Sequence, residues 1–132
     1  MAYVKSFREL EVYKEVRQLA KEIFEITKSF PKEEVYSLTS QIRRSSRSVG
    51  AQIAEAWGKR RYIKHFESKL TDADGEQLET QHWIETALDH NYISLEISRD
   101  LLERYEYIGK QLGSMILKSE MFCKKNNDKG RL

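Results

Sequence analysis

Residues 38–58 read LTSQIRRSSRSVGAQIAEAWG. Leu38, Ile42, Val49, Ile53 and Ala56 recur at three-, four- and seven-residue steps, the spacing of a helix buried along one side. Ser45, Ser46, Ser48, Gly50, Ala51 and Ala54 are small, so a neighbouring backbone can approach closely there. Serine and glycine weaken helix propensity, which means that packing has to hold this segment. Pro31, tolerated at a first turn, and the acidic pair Glu33 and Glu34 suit a helix N-terminus. The expected helix therefore spans Glu33 to Trp57, with Gly58 as a left-handed cap.

The same helical spacing extends in both directions. Upstream, Leu10, Tyr13, Val16, Ala20, Ile23 and Phe24 predict a helix from about Phe7 to Lys28. Downstream, Ile63, Phe66, Leu70, Ala73, Ile84 and Leu88 predict a third from about Tyr62 to Asp89, stopped near Asn91. Ser94 is the expected N-cap of a fourth, whose stripe is Leu101, Tyr105, Ile108, Leu112, Met115, Ile116 and Phe122. Long helices with short connections predict an all-α, up-down-up-down antiparallel four-helix bundle. Residues 1–123 form the expected single domain, and residues 124–132 a basic, solvated tail.

The chain has 132 residues, of which 33% are charged and 39% apolar. Its longest apolar run is Met1 to Val4, which predicts no membrane span and no secretory leader. The lone Cys123 cannot make an internal disulfide, so a reducing cytoplasm is the expected setting. Net charge is only +2, yet its signs are segregated. Residues 1–37 sum to 0, residues 38–64 to +6, residues 65–106 to −8 and residues 107–132 to +4.

Enzyme chemistry finds little support. The histidines His65, His82 and His90 lie in no catalytic motif, and the glycines form no phosphate loop. Glu79-x-x-His82 is half of a di-iron bundle site with no second such step, so no metal and no cofactor are expected. Gly109-x-x-x-Gly113 suggests close helix packing, and Cys123 a packing role. The basic residues carry more. Arg43, Arg44 and Arg47 crowd one turn, and Lys59, Arg60, Arg61 and Lys64 alternate with Trp57, Tyr62 and Phe66 at the next turn. Cations that bind phosphate, interleaved with aromatics that stack on bases, suit unpaired RNA. The competing expectation is an ion-pair belt of those arginines with Asp72, Glu76 and Glu79 on the third helix. Trp83 and Tyr107 lie off the main stripes and are the expected anchors of a subunit interface. No small-molecule substrate is evident.

Three segments carry a family resemblance: Phe7-Arg8-Glu9-Leu10-Glu11-Val12-Tyr13-Lys14, Phe30-Pro31-Lys32-Glu33-Glu34-Val35-Tyr36-Ser37-Leu38, and Gln41 through Gly58. Ala73-Asp74-Gly75-Glu76-Gln77-Leu78-Glu79-Thr80-Gln81 continues the series. In this order they resemble the four-helix bundle proteins encoded in intervening sequences of bacterial 23S ribosomal RNA genes. Retroelement accessory variability determinants look like the same fold. The resemblance implies a ring-shaped homopentamer with a basic surface for nucleic acid, and no catalytic activity. The expectation from residues and resemblance together is a non-enzymatic homo-oligomer that binds RNA or a nucleoprotein. A protein-binding scaffold is the alternative.

Overall fold

A computed structural model describes residues 4–123. The architecture is all-α: α1 (Glu11–Thr27), α2 (Leu38–Gly58), α3 (Ile63–Asp89) and α4 (Leu95–Leu117), with no strand among the described residues. Short 3-10 turns at Phe7–Glu9 and Lys32–Glu34 precede α1 and α2. After a break at Lys118, residues 119–123 are helical again. The basic tail expected at residues 124–132 lies outside the described residues.

Two helices begin later than their periodicity suggests, each because a side chain satisfies backbone groups ahead of the helix. Ser6 accepts the Arg8 N–H at 3.2 Å and closes the first 3-10 turn. Leu10 is then extended at φ −67° and ψ 129°, and its side chain is buried before α1 starts at Glu11. Before α2, the Glu34 carboxylate accepts the Leu38 N–H at 3.2 Å and the Tyr92 hydroxyl at 2.9 Å. That carboxylate ties the α1–α2 connection to the α3–α4 turn and leaves Val35 and Tyr36 outside the helix.

The ends of α2 and α3 use different chemistry. Gly58 is the last residue of α2, and its φ is not positive; no left-handed cap forms. Instead the Arg60 Nε–H donates to the Trp57 carbonyl at 2.9 Å, and the Lys59 N–H to that of Ala56, also at 2.9 Å. With those carbonyls occupied, no left-handed residue is needed. Asn91, the expected stop of α3, does adopt the left-handed conformation at φ 61°. Its N–H reaches the Leu88 carbonyl and that of Tyr92 reaches Ala87, the paired bonds of a Schellman motif. Ser94 caps α4 as expected, accepting the Ile97 N–H at 3.1 Å.

Helix packing is most extensive between α2 and α3, followed by α3 with α4, α1 with α2, and α1 with α4. Val16, Leu19, Ile23, Val49, Ile53, Phe66, Leu70, Ile84, Ile108 and Leu112 fill the shared core. Each large apolar side chain buried in this way contributes about 1.5–3 kcal/mol. The small residues of α2 serve close approach: Ser45, Ser46 and Gly50 are buried, and a Cβ on Gly50 would meet Val16 at 3.5 Å. Side-chain contacts fix the registers. Ser45 meets Thr80 and Gln52 meets Lys69, so numbers rise along α2 as they fall along α3. Glu67–Ser119 and the approach of Gly109 to Gln77 show the same opposition between α3 and the α4 side of the molecule.

Candidate nucleic-acid interface

Successive helix residues point about 100° apart, and this separates the three arginines of α2. Arg44 faces α3, where its Nη1 donates to Glu76 at 3.3 Å and its Nη2 to Glu79. Hydrogen bonds from Arg44 and from Trp83 Nε1 hold the Glu79 carboxyl below its ordinary range, and the Glu79 contact in turn raises the Arg44 pKa. Arg43 faces α1. Its Nε donates to Thr27 Oγ1 at 2.8 Å, its Nη2 to the Phe24 carbonyl at 3.4 Å, and its guanidinium lies 4.4 Å from the Phe24 ring centre. Arg47 lies one turn further on, 5.6 Å from the same ring. Among the described residues neither Arg43 nor Arg47 has a carboxylate within salt-bridge distance.

The expected belt is therefore half formed. Glu76 and Glu79 belong to it, and Asp72 does not: it is exposed and approaches Lys69 at 4.0 Å. Lys69 crosses to α2 instead and bonds Glu55 at 2.9 Å. Asp72 precedes Glu76 by four residues, yet Lys69 lies closer to it than any α2 arginine does. Trp83 is half-buried and is held by its bond to Glu79 at 3.0 Å, whereas Tyr107 is 58% exposed.

The second basic segment does not join the first. Arg43 and Lys59 are separated by 16 residues of α2, about 24 Å of helix rise. Lys59, Arg61 and Lys64 are exposed at the α2–α3 turn. Arg60 is withdrawn from it: the guanidinium sits 3.6 Å from the Trp57 ring centre and burial lowers its pKa. Arg60 thus serves the end of α2.

Sequence reasoning missed the partner of Arg43 and Arg47, which is α1. The first 37 residues carry no net charge, so their charge total does not reveal a basic face. In the fold, Glu22 is taken by Arg104 of α4 through bonds of 2.8 and 2.7 Å. Glu25 pairs with Lys28 at 3.1 Å and Glu11 with Lys14 at 3.3 Å, both on exposed surface. Arg17 and Lys21 keep no salt-bridge partner among the described residues. They line a cleft of about 770 Å³ between α1 and α2 that shares Phe24, Arg47 and Ala51 with a neighbouring cleft of about 980 Å³. Lys28, Lys32, Tyr36 and Arg43 line the larger one. An i, i+3/i+4 reading of the α1 cations beside Phe24 would have found this face.

Two residues noted for metal chemistry are engaged otherwise. Glu79 serves Arg44 and Trp83, and His82 packs on the Trp83 ring at 4.7 Å. No group of three or more His, Cys, Asp or Glu converges as metal ligands among the described residues, and no helix there is long and apolar enough to cross a membrane. Gly109 does approach α3 closely, whereas a Cβ on Gly113 would meet no atom within 4 Å. Cys123 is buried, which raises its thiol pKa.

The fold and the groove together define an all-α protein of four long helices with cations lining one face, five of them without a carboxylate partner among the described residues. The chain belongs to the 23S rRNA-intervening sequence protein family, which it matches over residues 8–114. It is also similar to a crystal structure from Bacteroides thetaiotaomicron VPI-5482, a protein with unknown function from the S23 ribosomal protein family. The two are 30% identical with a TM-score of 0.72, over 80% of this chain and 94% of that one. No curated protein matches the chain.

Proposed function

We propose that this protein is a cytoplasmic, non-enzymatic homo-oligomer of up-down-up-down four-helix bundles that binds RNA, free or within a nucleoprotein. The observation that carries this reading is the divergence of neighbouring arginines on α2. All three line one groove, but the exposed Arg44 is paired there with Glu76 and Glu79, while Arg43 and Arg47 have no carboxylate partner among the described residues. Guanidinium groups of this kind fork onto phosphate oxygens, and a cation-lined cleft concentrates polyanions. Lys59, Arg61 and Lys64 form a second, separate contact region. Opposed registers along α2–α3 and α3–α4 support the bundle topology, and the family resemblance supports a pentamer, with exposed Tyr107 and half-buried Trp83 at its interface.

The test is a titration of the purified oligomer with a labelled, mixed-sequence oligoribonucleotide from 50 to 200 mM salt. Arg17, Lys21, Lys32, Arg43 and Arg47 are the groove cations without a carboxylate partner among the described residues. Neutralising five phosphates of a single strand gives a log–log slope of about −3.5, a loss of about 100-fold over that range. Arg47→Gln lowers the slope by about 0.7. Absence of salt-sensitive binding, with the oligomer intact, overturns the RNA reading. That result favours the scaffold, for which the internal engagement of Arg44 by Glu76 and Glu79 is the supporting observation.

A further inference from the structure

We infer that the α1–α2 groove takes unpaired rather than duplex nucleic acid, with Tyr36 as a base-stacking residue; this rests on the RNA reading above. Tyr36 is 96% exposed in the connection between the second 3-10 turn and α2. Nothing in the described fold covers its ring, although aromatic side chains carry a large apolar payload that is normally buried. It lines the same cleft as Arg43 and Arg47. Moving along the groove, Phe24 forms the floor beneath those arginines, and Tyr13 follows with the Arg17 guanidinium 5.9 Å from its ring centre. Aromatic faces and cations therefore alternate along one track.

The dimensions favour a single strand. From Tyr13 to Lys28 the track follows 15 residues of helix, about 22 Å, the length of about six stacked nucleotides in one strand. Packed helix axes lie about 8–10 Å apart, so the groove between them admits one strand edge-on, whereas a duplex can only lie across it. A duplex also keeps its base faces stacked inside and offers Tyr36 nothing to cover. An unpaired strand presents phosphates to the cations and bare π faces to the aromatics, the combination that single-strand-binding surfaces use.

The inference is tested by equilibrium binding of two labelled probes to the full chain at fixed salt: an unstructured 12-nucleotide RNA and the same RNA annealed to its complement. The single strand is expected to bind at least tenfold more tightly. Tyr36→Ala is expected to weaken single-strand binding about tenfold or more, Tyr36→Phe to preserve it, and neither to alter duplex binding. Because Tyr36 is exposed, both variants should melt like the parent, and a thermal scan verifies this. Equal affinity for the two probes, or an unchanged Tyr36→Ala, overturns this inference and leaves the RNA reading standing. Failure of both probes to bind overturns both.

Discussion

Replacing Gly109 with alanine sets two opposing effects against each other at one atom. The new methyl would lie 2.8 Å from Gln77 Nε2 and 3.3 Å from Asp74 Oδ1. Gln77 is only 3% exposed and is fixed at both ends of its amide: Nε2 donates to Asp74 at 2.9 Å, and Oε1 accepts from Gln81 at 2.7 Å. Displacing that amide leaves buried polar groups without partners, which costs about 1–3 kcal/mol. Relief of glycine's backbone entropy inside α4 contributes about 0.5–1 kcal/mol in the other direction. The expected net result is a loss of about 0.5–2 kcal/mol. Gly75 and Gly113 are also inside helices, but a Cβ there meets nothing within 4 Å. Alanine at either position should therefore stabilise by about 0.5–1 kcal/mol. Urea unfolding followed by circular dichroism, at one protein concentration for all variants, measures the three differences. A Gly109→Ala variant as stable as the Gly75→Ala or Gly113→Ala variant would refute the close approach and the role given to Gln77.

Two further outcomes concern ion pairs that join helices distant in sequence. The Glu22–Arg104 contact is bidentate and only about a third exposed on each side, so a double-mutant cycle with Glu22→Gln and Arg104→Ala should show a coupling of about 1 kcal/mol; a value near zero contradicts the geometry. Arg104 lowers the Glu22 pKa and Arg44 lowers that of Glu79, both below the ordinary 4.5. The unfolded chain then takes up these protons at higher pH than the native one. Their stabilisation is complete above about pH 4.5 and is lost as pH falls through the lowered native values. The Glu22→Gln/Glu79→Gln variant should be less stable at pH 7 and lose less between pH 5 and pH 3 than the parent. An equal loss in urea midpoint would show that other carboxylates carry the acid sensitivity.

Much of the fold was legible because its signals are local. The apolar periodicity of α1 to α4, the Ser94 cap and the Asn91 stop depend on residues within a turn or two of one another. Where local reading erred, the cause was a distant partner or a competing side chain. Glu34, bonded to Tyr92 58 positions away, delays the start of α2, and Arg60 occupies a carbonyl at the end where Gly58 looked like the cap. Asp72 seemed to share the face of Glu76 and Glu79, but Lys69 at its side engages it instead.

The site shows the same division. Sequence alone established that basic residues cluster at 38–64 and acidic ones at 65–106, and that Arg43, Arg44 and Arg47 share one helix. Only the tertiary structure decided which of them stay without a carboxylate partner. Arg43 and Arg44 are neighbours in the chain, but a helix turns about 100° per residue, so one meets Thr27 and Phe24 of α1 while the other meets Glu76 and Glu79 of α3. Likewise the neutral first segment becomes one wall of a basic groove because Glu22 turns away to Arg104 of α4, 82 positions distant. Charge totals follow from composition. Which charges remain uncompensated depends on the neighbours that packing supplies.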